Sequence, residues 1–320
     1  MREAVIVSVA IRGGMNMSYR QKEIRWDEVG PVAYQSDNEV VAAASLVKKG
    51  IVYSLGSERF NGMPNFPGTP FSIHTSVSPA GVRREKAPWA KWIWDETANK
   101  ANLGFNAELV IAGLHSGTHI DTLGHATIGE DDHWFRGFSA KDYCTDSGIL
   151  RCDGSTFLPF FTRGTLLDVA GYLGVDKLPN GQGISHKDLE ATAKKYSVEI
   201  RKGDVVLIHT GYADHYPNVD NKDPVYARAG IDEGAALWLA DRGVVAVGSD
   251  TESLEQVPCA NPDNPHIVHT ILLIEKGIHI METVLTKCLV DDGIWEFLFV
   301  AQPLLIRGAT ASMLNPIAVI

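Results

Sequence analysis

Residues 115–125 read His-Ser-Gly-Thr-His-Ile-Asp-Thr-Leu-Gly-His, which places His115, His119, Asp121 and His125 within eleven positions. Imidazole and carboxylate are the ligand types that zinc, manganese and ferrous iron accept. A catalytic metal site takes about three protein ligands and keeps a position open for water or substrate. His119 and Asp121 lie two apart, so an extended backbone projects both side chains to one face. Gly117 lets the chain turn tightly enough for His115 to join them. A His-rich surface loop would account for a lone His-x-x-x-His. An Asp and a fourth His at this spacing point to a metal site of the catalytic kind.

The other histidines carry weaker signals. His133 lies in Glu130-Asp131-Asp132-His133-Trp134 and reads as part of a solvated acidic loop, with pocket lining as the alternative. His209 ends a strand-like run and leaves a substrate-facing role open. His186 and His215 read as surface residues. His266 precedes His269 by one helical turn and reads as a neighbour rather than a ligand. Taken alone, His269 on an Ile/Leu-rich helix reads as a core histidine, and Glu282 as an ordinary strand-end carboxylate.

The 115–125 stretch resembles the His-x-Gly-Thr-His-x-Asp-x-x-x-His signature of the metal-dependent cyclase-like hydrolases. That family includes bacterial kynurenine formamidase, isatin hydrolase and trans-dienelactone hydrolase. Shorter members carry Pro two residues before the last His, where this chain has Leu123. Further blocks follow in family order: Arg163-Gly164-Thr165-Leu166-Leu167-Asp168, Gly203-Asp204-Val205-Val206-Leu207-Ile208-His209-Thr210-Gly211 and Val247-Gly248-Ser249-Asp250-Thr251. Val268-His269-Thr270-Ile271-Leu272-Leu273 then leads to Gly277-Ile278-His279-Ile280-Met281-Glu282.

Carried over residue by residue, the resemblance implies His115, His119 and Asp121 as ligands of one metal. Asp121, His269 and Glu282 would serve a second, with Asp121 bridging. His125 would be the proton-transfer residue. In the isatin hydrolase pattern a single manganese is held, and the later His and Glu act around it. The implied cofactor is a divalent metal, Mn or Zn, as one or two ions. Phe66-Pro67-Gly68 resembles the Trp-Pro-Gly element of the formamidases, which makes Phe66 the expected substrate contact; Phe keeps a stacking face and lacks the indole N–H. One departure is Thr283, where many members have Asn after the Glu. The implied activity is hydrolysis of a C–N bond in an arylformamide or cyclic amide by a metal-activated water. A lactone hydrolase on the same site and a non-enzymatic metal-dependent binding protein are the alternatives; retention of His125 speaks against the second.

These groups must be positioned by a fold, and bulk properties bound it. The 320 residues are 45% hydrophobic and 21% charged, as in a soluble globular protein. No segment approaches the ~20 apolar residues that span a membrane. A formal charge of −10 and no dense Lys/Arg cluster argue against nucleic-acid binding. The partners expected are a small-molecule substrate and, from the resemblance, a second copy or more, as homodimer or homotetramer. Cys144, Cys152, Cys259 and Cys288 form no Cys-x-x-Cys pair, and the run 5–11 is too short for a secretory signal; reduced thiols in the cytoplasm are expected. Neither a Gly-x-Gly-x-x-Gly fingerprint nor a Walker A stretch is present.

Patterning predicts a helix over 38–49 capped by Asn38, a strand over 51–55 and a strand over 105–113 that delivers the His115 motif. Further strands are predicted over 163–169, 205–209, 244–248, 278–281 and 294–300. Helices are predicted over 185–196, opened by a Ser185/Asp188 capping box, over 232–242, and over 267–276 with Gly277 as its cap. Residues 57–104, rich in Pro, Gly and Trp, read as irregular, with a lid or pocket wall as the functional expectation. The alternation describes one α/β domain with a mixed sheet over 31–320, preceded by an extension over 1–30. The resemblance adds that the sheet is open and barrel-like, with helices packed outside.

Overall fold

Runs rich in Val, Ile, Leu and Phe assemble into a mixed nine-stranded sheet in the computed structural model, which describes residues 25–65, 68, 70–95, 97–218 and 227–320. In chain order the strands are β1 (Val52–Ser54), β2 (Phe71–Val77), β3 (Ala107–Ala112), β4 (His119–Asp121), β5 (Phe160–Asp168) and β6 (Val205–His209). After them come β7 (Ala246–Ser249), β8 (His279–Glu282), β9 (Glu296–Ala301), β10 (Ala311–Met313) and β11 (Ile317–Val319). The sheet runs β1-β11-β9-β5-β6-β7-β8-β4-β10 and curls into an open half-barrel with helices outside it. Its centre, β5 to β8, is parallel; the flanking pairs, including β8 with β4 and β4 with β10, are antiparallel.

Parallel strands need cover on both faces, and the side-chain alternation shows it. Val206 and Ile208 of β6 and Ile280 of β8 join a core with the helical residues Leu189, Leu239 and Leu272. Val205, Leu207 and Met281 point the other way, into a second core with Ile120, Phe297 and Phe299. The metal-motif strand is thereby oriented: Ile120 is sealed in the second core, so His119 and Asp121 face the first.

Local chemistry sets the helix ends. Ser36, not Asn38, caps the first helix (Asp37–Ala44), in a capping box with Glu39 that the spacing of Asn38 had hidden. The helix at His186–Lys195 opens with the expected Ser185/Asp188 box, and Asp232 caps Glu233–Asp241. The predicted 267–276 helix begins as Ile267–His269 and widens into a π-helix over Thr270–Lys276, closed by Gly277 at φ 68°. π-turns of this kind gather at functional sites.

The 57–104 stretch is less irregular than expected. It contains β2, which pairs with β3 as a separate two-stranded arm, and the helical segments Pro79–Glu85 and Lys91–Trp94. Pro and Gly density concealed the β-branched alternation of Ser-Ile-His-Thr-Ser-Val. Val82, Ala90 and Ile93 form the arm's small core, while Trp89 and Trp92 stay exposed. Of the expected extension over 1–30, residues 1–24 lie outside the described ones. The described part is anchored by Arg25 on Asp153 and by Glu28, which accepts from Arg151 and the Cys152 amide. Among the described residues no helix is long and apolar enough to cross a membrane.

Candidate metal centre

The motif loop reaches β4 through Gly117, whose φ of 59° is the left-handed turn expected of it. A Cβ there would sit 2.6 Å from Ser57 Oγ, so only glycine fits between the loop and residue 57. Arg59 donates to the carbonyls of Ser116 and Thr118 and clamps the same loop from outside. The Gly117 carbonyl then accepts from His119 Nδ1 at 2.8 Å, which leaves His119 Nε2 as the lone-pair nitrogen.

That nitrogen faces two carboxylates, 3.4 Å from Glu282 Oε2 and 3.6 Å from Asp121 Oδ1. Antiparallel register sets His119 opposite Glu282 across the β4–β8 pair. His269 Nε2, on the first turn of its helix, lies 3.6 Å from Glu282 Oε1 and 3.9 Å from Asp121 Oδ2. His115 Nδ1 approaches Asp121 Oδ1 to 3.0 Å, and the His115 and His125 rings lie 4.2 Å apart. Two compact sets of ligand atoms result: His115, Asp121 and His125, and Asp121, His269 and Glu282. All the expected residues except Phe66, which lies outside the described ones, are therefore brought together. His125 joins them, with a ring nitrogen within 4.8 Å of Asp121 and His115.

The donor set fits a cation. His119 Nε2 and both oxygens of Asp121 are buried with no hydrogen-bond partner; the 3.0 Å approach of His115 lacks hydrogen-bond geometry. Buried polar atoms are left unpaired in this way where an ion belongs. Two buried carboxylates among four imidazoles also form a negative pocket once the imidazoles are neutral.

Electrostatics follow from this crowding. Burial works against charge on Asp121, but His125, His115 and His119 outweigh it and hold the carboxyl well below its usual range. Glu282 is likewise held low by His119 and His269 against its burial. Burial pushes His125 down to about 4, so it is a neutral imidazole at pH 7.

Two neighbours of the centre were not legible in the sequence. His279 donates through Nδ1 to the Asp121 carbonyl at 2.8 Å, packs on Phe157 and Phe160, and is pushed by burial down to about 4. Glu255 lies behind His269. Neither has a local spacing signal. The weaker histidines separate cleanly: His133 sits in its loop, 2.7 Å from Asp131. His209 lies on the opposite face of the sheet from the centre, bonded to Thr286 Oγ1, and nearby Asp250 caps the Thr210 amide and hydroxyl.

A cavity of about 440 Å³ lined by Ile231, Glu233, Cys259 and Ile267 includes Glu255 but none of the candidate ligands.

Comparison with known proteins places the fold. A crystal structure described as a novel cyclase is 27% identical, with a TM-score of 0.77, over 92% of this chain and 94% of its own. Isatin hydrolase A from Ralstonia solanacearum shares the fold at 18% identity and a TM-score of 0.61, over 89% of this chain and 97% of its own. A predicted metal-dependent hydrolase from Bacillus stearothermophilus shares it at 19% identity and a TM-score of 0.53, over 85% and 98%. No curated protein sequence matches the chain. The model of the Cyclase family matches residues 53–256, well over half of the sequence, and the chain belongs to that family.

Proposed function

We propose that the protein is a metal-dependent hydrolase that cleaves a C–N bond in an arylformamide or a cyclic amide. The observation that carries this reading is the buried, unpartnered Asp121 carboxylate facing His119 Nε2 within a ring of imidazoles and Glu282. In this reading His115, His119 and Asp121 would hold one divalent ion, Mn or Zn, and Asp121, His269 and Glu282 would hold a second. When bound, such an ion polarises a carbonyl and acidifies water.

The chain's own residues do the rest. His119 is locked in one tautomer by Gly117, and Asp121 is kept ionised by its imidazole neighbours. The His125 ring is held against His115, a position suited to accepting a proton from water and returning it to the leaving nitrogen. Fold relatives named as isatin hydrolase and metal-dependent hydrolase support the class. The substrate is a small molecule, and a second copy of the chain is the partner we propose for the exposed arm.

The test is hydrolysis of N-formylkynurenine, isatin and a dienelactone before and after dialysis against a chelator. Amide turnover that is lost on dialysis and restored by Mn or Zn supports the proposal. Chelator-resistant turnover overturns the metal's role. Turnover of the lactone alone replaces the C–N bond with an ester.

A further inference from the structure

Behind His269, on the side away from Asp121 and Glu282, a second buried carboxylate takes up the other ring nitrogen. Glu255 is 1% exposed, and its Oε1 accepts from His269 Nδ1 in a very short contact. The same oxygen accepts from His266 Nδ1 at 3.0 Å, and Oε2 accepts from the Val268 amide at 3.2 Å. One carboxylate thus holds the first turn of the helix that carries His269.

The backbone around Glu255 is built to keep that carboxylate in place. Leu254, immediately before it, takes φ 55°, a left-handed conformation that bulky side chains rarely adopt. Conformations of this kind are strained and persist where the surroundings demand them. The Ser253 hydroxyl donates to the Glu255 carbonyl at 2.9 Å. Ile231 bridges to Glu255, and a Cβ on Gly230 would fall 2.3 Å from the Glu255 carbonyl carbon, so the two segments touch backbone to backbone.

We infer that Glu255 is a positioning residue of the metal centre, fixing the tautomer and ring plane of His269 so that Nε2 is the nitrogen presented to the ion. A carboxylate can only accept, so the proton sits on His269 Nδ1 and the Nε2 lone pair points at Asp121 and Glu282. Hydrogen-bonded partners of this kind raise ligand basicity, and their loss costs 10- to 100-fold in metal affinity. The inference rests on His269 being a ligand in the proposed centre.

The measurement is calorimetric Mn(II) and Zn(II) affinity of the intact protein and of Glu255→Gln, His269→Ala and His266→Ala, with the melting temperature of each metal-free form. Glu255→Gln should bind about 10- to 100-fold more weakly, melt with wild type when metal-free, and alter the visible spectrum of the Co(II) form. His266→Ala should keep both affinity and spectrum. Weak binding by His269→Ala beside wild-type binding by Glu255→Gln overturns the role of Glu255 and leaves the centre standing. Wild-type binding by His269→Ala overturns the ligand assignment itself. If Glu255→Gln does not fold, nitrogen NMR of the zinc-loaded wild-type protein decides. A His269 metallated at Nε2 with a protonated Nδ1 upholds the inference, and metallation at Nδ1 overturns it.

Discussion

His119 and Glu282 are register partners across β4 and β8, and their side chains meet at 3.4 Å on the face of the sheet that the helices cover. The pairing joins a motif read from eleven consecutive residues to a carboxylate far along the chain. A slip of β4 by one residue would turn His119 and Asp121 to the opposite face, away from Glu282. The metal centre and the sheet edge therefore stand or fall together.

Asp121 and His125 should respond differently to removal. Asp121→Ala should abolish both metal content and turnover, because its oxygens lie in both candidate ligand sets. His125→Ala should keep its metal and lose kcat by about 10²- to 10⁴-fold, the range of a general acid–base group. Metal analysis beside single-turnover kinetics distinguishes them. Equal loss of metal in the two variants would make His125 a ligand.

Gly117→Ala should destabilise the protein and loosen the centre. The substitution asks an L-residue to hold φ 59° with its Cβ 2.6 Å from Ser57 Oγ. About 1–3 kcal/mol is the expected cost for strain of this size. Urea unfolding of the metal-free variant measures it, and a midpoint unchanged from wild type would rule the strain out.

Acid should weaken the fold in part through His279. An unfolded histidine titrates near 6.5, whereas burial holds His279 down at about 4. Between those values the unfolded chain binds a proton that the folded one refuses, so stability rises with pH across the window and is lost as pH falls from 6.5 toward 4. The full effect is on the order of 3 kcal/mol. His279→Asn retains a donor toward the Asp121 carbonyl without the titration. Its metal-free unfolding midpoint should decline less steeply over that range, and a decline as steep as wild type's would assign the effect to other groups.

The arm should bury itself against a second copy of the chain. Ile73, Leu109, Val110 and Ile111 are exposed on a two-stranded ribbon, and isolated ribbons of this kind are marginal in water. Leu109→Ser with Ile111→Ser should shift the mass measured by light scattering toward the monomer. A wild-type protein that is already monomeric at tens of micromolar would defeat the idea.

What could be read from sequence follows the range of the forces involved. The two-residue spacing of His119 and Asp121 needs only strand geometry, and the Ser185/Asp188 capping box needs only one helical turn; both were legible. His269 and Glu282 were reached through family resemblance alone, since no local period connects a helix start to a strand end. Glu255 sits in the polar run Glu252-Ser253-Leu254-Glu255-Gln256, where nothing nearby marks one acid as buried. Strands β10 and β11 are three residues each and gain their order from remote partners, so their own residues say little.

The candidate ligands fall into two groups, one on the loop and strand around residues 115–121 and one on the segment from His269 to Glu282. During synthesis the first group leaves the ribosome long before the second exists. An early ion could meet only a partial, exposed cluster, from which small competing ligands would readily remove it. The complete set appears only after β8 has docked beside β4. Loading of the proposed metal would thus be a late event in the life of each molecule, governed by closure of the sheet rather than by emergence of the motif.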